Sequence, residues 1–245
     1  MKIATIIPAR YQSSRFEGKP LASIHGKPMI QHVYERAARC GAVDITIVAT
    51  DDQRIEKAVE SFGGKVIMTN TVHQSGTDRL AEAARLLELK DEDIVINVQG
   101  DQPLIDPRSL DQVILPFETD KNLDMTTLAF QIVDPREKIN PKDVKVVFDK
   151  SGKALYFSRA PIPFGRDKPA VDMYKHLGVY AYRRRFLDTF NQFPQGVLEN
   201  IEKLEQLRVL ENGIPLRVVV TPFDSPEVDI PDDIQRIENI INKKH

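Results

Sequence analysis

A single cysteine, Cys40, in 245 residues excludes an intramolecular disulfide and every multi-cysteine zinc or iron–sulfur framework. A surplus of charge is missing as well: 34 Lys and Arg against 36 Asp and Glu leave a formal −2. No global positive field therefore attracts nucleic acid or an anionic membrane, and any anion site must be local. Long hydrophobic runs are absent. The apolar opening Ile3 to Ile7 is stopped by Pro8 and Arg10, too short for a signal-peptide core, and no later stretch approaches the ~18 apolar residues of a membrane span. These absences predict a cytoplasmic protein with neither a nucleic-acid nor a membrane partner. No period of roughly 20 to 50 residues recurs, which excludes a solenoid or propeller.

Two nucleotide motifs are missing too. Neither Gly18-Lys19-Pro20 nor Gly26-Lys27-Pro28 has Ser or Thr after the lysine or the required glycine before it, so there is no P-loop. No G-x-G-x-x-G follows an apolar run, which argues against a dinucleotide oxidoreductase.

With 41% hydrophobic and 29% charged residues the chain is globular, and its length allows one large domain or a core with a smaller lobe. In the first half, short apolar runs at Ile3–Ile7, Ile45–Ala49, Val66–Met68 and Ile94–Val98 alternate with helical patterns. Repeated βα units predict an α/β fold with a mainly parallel sheet covered on both faces. After about residue 125, Val144–Phe148 and Ala154–Ser158 flank the turn-rich 149–153 as a hairpin, and Pro161, Pro163, Gly165 and Pro169 form a loop rich in breakers. The strand-like His176–Tyr182 follows that loop, and Glu199–Leu210 reads as one amphipathic helix stopped by Gly213. The expected organisation is a nucleotide-binding core over 1–130 and an inserted α+β lobe over 131–215. A strand and helix over 216–245 then return to the core.

Ligands of parallel sheets bind beyond the carboxyl ends of the strands. The loop after the first strand carries Arg10, Arg15 and Lys19, cations able to wrap a triphosphate, although charge alone equally describes a solvated loop. After the fourth run, Gly100 permits a tight turn that would face Asp101 into the crevice, where a carboxylate can hold magnesium or serve as a plain turn residue before Pro103. Asp229, ahead of Pro231, is a candidate partner and also an ordinary helix-start signal. Asp51 and Asp52 fit helix capping better than a ribose contact, and Ser75 and Thr77 are explained by capping as readily as by ligand binding. His25, His32 and His245 lack metal-ligand spacing, and Cys40 fits a small buried apolar position.

Ile7-Pro8-Ala9-Arg10 continuing to Arg15 and Gly18-Lys19-Pro20-Leu21 opens a series of segments in fixed order. It continues with His73-Gln74-Ser75-Gly76-Thr77, Val98-Gln99-Gly100-Asp101, Tyr156-Phe157-Ser158-Arg159, His176-Leu177-Gly178 and Leu204-Glu205-Gln206-Leu207-Arg208. Together these resemble the 3-deoxy-manno-octulosonate (Kdo) cytidylyltransferases over nearly the whole chain. The resemblance implies a Rossmann-like nucleotidyltransferase fold, a homodimer, CTP and Kdo as substrates, Mg2+ as cofactor and a place in lipopolysaccharide synthesis. It implies Arg10, Arg15 and Lys19 as the triphosphate grip, with Pro8, Ala9, Ser13, Ser75, Arg79 and Gln99 completing the nucleotide pocket. Asp101 and Asp229 become the metal carboxylates and, with Lys19, the catalytic set, while Arg159, His176, Tyr180, Glu205 and Gln206 hold the sugar acid. Two departures from the commoner pattern, Gln102 where an acid is often found and a short loop over 165–174, leave an 8-amino form of Kdo open as the substrate. A cytidylyltransferase for another sugar acid, and a nucleotide-binding module without catalysis, are the remaining alternatives.

Overall fold

The computed structural model describes residues 1–13, 15–73, 75–167 and 171–243. Readings that fall on Ser14, Gln74, Pro169 and His245 lie outside the described residues.

The strands are β1 (Ile3–Ala9), β2 (Ser23–Ile24), β3 (Lys27–Pro28), β4 (Ile45–Thr50), β5 (Val66–Met68), β6 (Ile94–Asn97), β7 (Met125–Gln131), β8 (Lys145–Phe148), β9 (Ala154–Ser158), β10 (Tyr174–Arg183) and β11 (Leu216–Val220). The main sheet runs β11-β7-β10-β6-β1-β4-β5, with the β8–β9 hairpin attached to the outer end of β10. Of these seven only β10 opposes its neighbours. The sheet is therefore mainly parallel, as the βα alternation requires.

Its apolar runs are buried on both sides, because helices cover both faces. Alternate residues of β1 divide between two cores: Ala4 and Ile6 pack with Leu80, Ala84 and Phe186, and Ile7 and Ala9 pack with Ile30, Val33, Leu110 and Val113. A third cluster, Ile24, Met29, Leu104, Val228 and Ile237, fastens the final helix Asp232–Asn242 beside β2.

Two features differ from the sequence reading. The strand expected within the smaller lobe, β10, lies in the middle of the main sheet between β6 and β7, so the sheet continues across the 130/131 boundary. Alternating apolar residues announce a strand but not its neighbours. The single helix expected over Glu199–Leu210 is two, Val197–Glu202 and Leu207–Glu211, broken where Lys203 turns left-handed at φ 55°. Across that break Arg208 donates to both oxygens of Glu199, at 2.8 and 2.6 Å, and lies over the Phe190 ring. The two side chains are only 10% and 8% exposed.

A buried pair of this kind is dangerous to halve, since the survivor keeps its charge without its partner. Glu199→Ala is expected to lower unfolding free energy by about 3–5 kcal/mol, seen as a drop in urea midpoint at unchanged m-value.

Candidate active site

The carboxyl end of β1 leads into a loop closed on itself, where the Gly18 N–H donates to Tyr11 O at 2.8 Å. Gly18 has φ 69°, and a Cβ there would stand 3.1 Å from the Tyr11 ring, so this turn needs glycine. The closure delivers Lys19 inward: its Nζ donates to Asp101 Oδ2 at 2.5 Å and to Val228 O at 3.0 Å. Arg15 donates to Asp229 Oδ2 at 3.2 Å, and Arg10 reaches across to His73 O and Ser75 O at 2.8 and 2.9 Å. Ser13 Oγ accepts from Phe16 N–H at 3.4 Å, a bond internal to the loop. Pro8 and Ala9 lie at the end of β1, paired with Ala49 and Thr50.

The turn after β6 passes close under β1. A Cβ on Gly100 would meet Pro8 O at 3.2 Å, which explains the glycine and fixes Gln99 and Asp101 at the strand end. The backbone N–H of Val228 donates to Asp101 O at 3.0 Å, bringing Asp229 to the same edge. A third acid, Glu227, stands with them and accepts from Gln102 Nε2 at 3.2 Å. Its depth among protein atoms, followed by the charge of Asp101, raises its carboxyl above the usual range. Sequence reading missed Glu227; its signal is the alternation Glu227-Val228-Asp229, which puts both acids on one side of an extended segment.

The carboxylate oxygens of Asp101 and Asp229 are the donor type a hard divalent cation takes. Among the described residues no group of three or more His, Cys, Asp or Glu forms a closed metal cage. Magnesium usually takes one or two carboxylates and leaves its other positions to water and phosphate, so Asp101 and Asp229 fit such an ion.

Beyond the carboxyl ends of β1 and β4, Arg10, Tyr11, Gln12, Asp51, Asp52, Thr71 and His73 line a cavity of about 370 Å³. Ser75 caps the helix Gly76–Leu86 in a reciprocal box with Asp78, and Asp52 caps Gln53–Ser61, so the capping expectation holds for these two but not for Asp51, which pairs with Arg79, or Thr77, whose hydroxyl goes to Glu205. Gln99 Nε2 donates to Asn97 Oδ1 at 3.4 Å. Arg79, expected in the nucleotide pocket, is instead fully buried and donates to Thr69 Oγ1 and, at 2.8 Å, to Asp51. It supports the floor of that cavity through Asp51.

On the other side of Asp101, β10 carries an irregularity between His176 and Tyr180, which oppose Ala129 and Thr127 of β7. The two rings lie 5.1 Å apart on one face, and Tyr180 OH donates to Gln206 Oε1 at 3.0 Å. Thr77 Oγ1 donates to Glu205 Oε2 at 2.7 Å. Glu205 Oε1 and Gln206 Nε2 are buried without a hydrogen-bond partner, an arrangement suited to a ligand rich in hydroxyls. Arg159 is engaged differently: its guanidinium donates to the carbonyls of Glu202, Pro141 and Lys203 at 2.8, 3.0 and 3.4 Å. Those bonds brace the break between the two short helices, leaving the charge at the rim.

The cytidylyltransferase family profile matches residues 4–221. The chain belongs to the cytidylyltransferase family. This cytidylyltransferase is 60% identical over 239 residues to a 3-deoxy-manno-octulosonate cytidylyltransferase of Desulfosudis oleivorans, with 97% of this chain and 96% of that one covered. It is 59% identical, also over 239 residues, to an 8-amino-3,8-dideoxy-manno-octulosonate cytidylyltransferase of Shewanella frigidimarina, covering 97% and 98%. A solved CMP:2-keto-3-deoxy-manno-octonic acid synthetase complexed with CTP superposes with a TM-score of 0.93 at 44% identity, with both chains fully covered.

His176 provides a pH test. Thr127 Oγ1 spends its proton on Val179 O at 2.7 Å, so the 2.8 Å contact to His176 must use the imidazole Nε2–H, leaving Nδ1 as an acceptor. Burial pulls the imidazole down to about 3, so it is neutral at working pH. A lowered folded value means the unfolded chain binds the proton first, so stability falls as pH drops below the unfolded value of ~6.5. His176→Gln is expected to lose that part of the acid-side slope, measured by urea unfolding of both proteins between pH 7 and 4.

Proposed function

We propose that the protein transfers CMP from CTP to the anomeric C2 hydroxyl of a 3-deoxy-manno-octulosonate acid and releases pyrophosphate, for lipopolysaccharide synthesis. The observation that carries this reading is the meeting of Lys19, Asp101, Val228 and Asp229 at the carboxyl edge of β1 and β6. Beside that edge the polar groups of His176, Tyr180, Glu205 and Gln206 stand on a separate wall.

The chain mainly positions and neutralises. Arg10, Arg15 and Lys19 offer cations to the triphosphate, whose leaving pyrophosphate gathers charge in the transition state. The neutral His176, with Nδ1 as acceptor, and the unpaired atoms of Glu205 and Gln206 orient the sugar hydroxyls. Arg159 supplies a fixed positive charge for the sugar carboxylate. Magnesium, held by Asp101 and Asp229, would polarise phosphate oxygens and draw charge away from the reacting centre.

The proposed assembly is a homodimer. Leu155 of β9 is 59% exposed, and Val197 and Ile201 of the neighbouring helix are 71% and 72% exposed. That helix is fastened to β9 by Ser158 Oγ donating to Glu202 at 2.6 Å, so these side chains belong to one region. The proposed location is the cytoplasm. There the buried Cys40 thiol, pushed up to about 12 first by burial and then by its hydrogen bond to Asp111, would stay unreactive.

Two experiments test these readings. Pyrophosphate release with CTP, Mg2+ and the sugar acid is expected to fall by on the order of a hundredfold or more in Asp101→Asn at an unchanged melting temperature; a near-normal rate would refute the catalytic role of Asp101. Sedimentation equilibrium is expected to show a dimer that Ile201→Glu converts to monomer, because a charge would face the apolar partner.

A further inference from the structure

A cavity of about 440 Å³ opens beside the Asp229 end of the cleft, bounded by His176 and Leu177 of β10, by Asp224 to Glu227, and by residues between 134 and 143. Most charged groups in its walls neutralise one another. Lys175 Nζ donates to Glu137 at 2.6 Å and to Asp224 at 3.1 Å, Arg136 pairs with Asp134 at 2.6 Å, and Arg236 pairs with Asp233 at 3.1 Å.

The inner corner is different. Gln102 is wholly buried; its Nε2 donates to Leu177 O and to Glu227 Oε1, while its Oε1 has no hydrogen-bond partner. Ser225, which lines the cavity and is 4% exposed, has a buried Oγ that is likewise unpartnered. Gly178, at φ 65°, keeps the corner open: a Cβ there would stand 3.4 Å from Glu227 Oε1 and 3.6 Å from Gln102 Nε2. The Glu227 carboxyl and the Gln102 amide thus meet through a hydrogen bond, and Ser225, two residues before Glu227, lines the same cavity as Glu227. An ammonium group brings one positive charge and three N–H donors, whereas a hydroxyl brings one donor and no charge.

The position suits one part of the sugar acid. In the pyranose ring the exocyclic tail leaves C6, which shares the ring oxygen with the anomeric C2, so the tail's terminal carbon lies within a few ångströms of the reacting hydroxyl. Gln102 follows Asp101 directly in the chain, and Glu227 precedes Asp229 by two residues. A tail directed from the reacting centre toward Glu227 would enter this cavity.

We propose that Glu227, Ser225 and Gln102 form a subsite for a primary amine at the end of the sugar tail, so that the enzyme takes an 8-amino-3,8-dideoxy-octulosonate in preference to the all-hydroxyl acid. This rests on the cytidylyltransferase reading above and names the substrate within it. Unpaired buried acceptors penalise the hydroxyl form, which satisfies only one of them.

Pyrophosphate release with CTP and Mg2+, measured with each sugar acid in turn, tests the assignment. The wild type is expected to show kcat/KM at least about tenfold higher for the amino acid sugar. Ser225→Ala, at an unchanged melting temperature, should lower that ratio by about tenfold, chiefly through the KM of the amino form. Glu227→Gln should lower the ratio further, whatever it does to the absolute rates. Equal or better use of the all-hydroxyl acid by the wild type would overturn the subsite and leave the functional reading standing. The subsite would also fall if Ser225→Ala slowed both sugars by the same factor. Release with neither sugar would overturn the functional reading and the subsite with it.

Discussion

The contact between Lys19 and Asp101, 2.5 Å long and shared with the carbonyl of Val228, is the constraint from which the site follows. It joins three segments far apart in sequence: the loop after β1, the turn after β6 and the stretch before the final helix. Asp101, Glu227 and Asp229 would repel one another if only the backbone held them. A lysine inside the group offsets that repulsion with a compact charge that makes several bonds at once. The surrounding structure serves this arrangement: Gly18 turns the loop inward, Gly100 lets the β6 turn pass beneath Pro8, and Val228 is anchored in an apolar cluster with Ile24, Met29, Leu104 and Ile237.

The strand ends that build this edge were legible in the sequence, because a buried parallel strand is a short apolar run followed at once by the residues of the ligand loop. Arg10 and Asp101 stand directly after such runs, with Lys19 further along the loop that Arg10 begins, and their placement needed no knowledge of distant contacts. The wrong or missing readings share a different cause. Leucines at 204, 207 and 210 keep helical spacing although the second helix begins only at Leu207, so the break after Glu202 is fixed by the Arg208–Glu199 pair and the bonds from Arg159. Arg79 looks like a charge on a helix surface and is buried only because Asp51 and Thr69 arrive from other strands. Glu227 and Ser225 sit between prolines in a segment that reads as a turn, and their importance appears only once that segment crosses Gln102 and Gly178.

The reversed direction of β10 explains how one sheet serves two kinds of ligand contact. A strand antiparallel to β6 and β7 begins where they end, so the first residues of β10 arrive at the same edge as the phosphate loop. From Tyr180 to His176 the strand advances four residues while its β7 partners advance from Thr127 to Ala129, only two. That excess accommodates Gly178 and lets both rings stay on one face. A parallel strand in this place would deliver its beginning to the opposite edge, away from Asp101.

The division of labour has a physical consequence. In the proposed function the cations Arg10, Arg15 and Lys19, carried by the loop after β1 and held by bonds to Asp101, Asp229 and the carbonyls of His73, Ser75 and Val228, meet the highly charged triphosphate. The proposed sugar contacts His176 and Tyr180 are mounted on a central strand, and their side chains are bonded to Thr127 and Gln206. Such groups cannot follow a ligand of different shape, and a preorganised wall discriminates by leaving its own polar atoms unpaired when the wrong group enters. In the proposed function, charge attraction therefore resides in the loop after β1 and selectivity on the strand β10. That is the order expected when the nucleotide is recognised chiefly by its phosphates and the acceptor by the placement of each hydroxyl or amine.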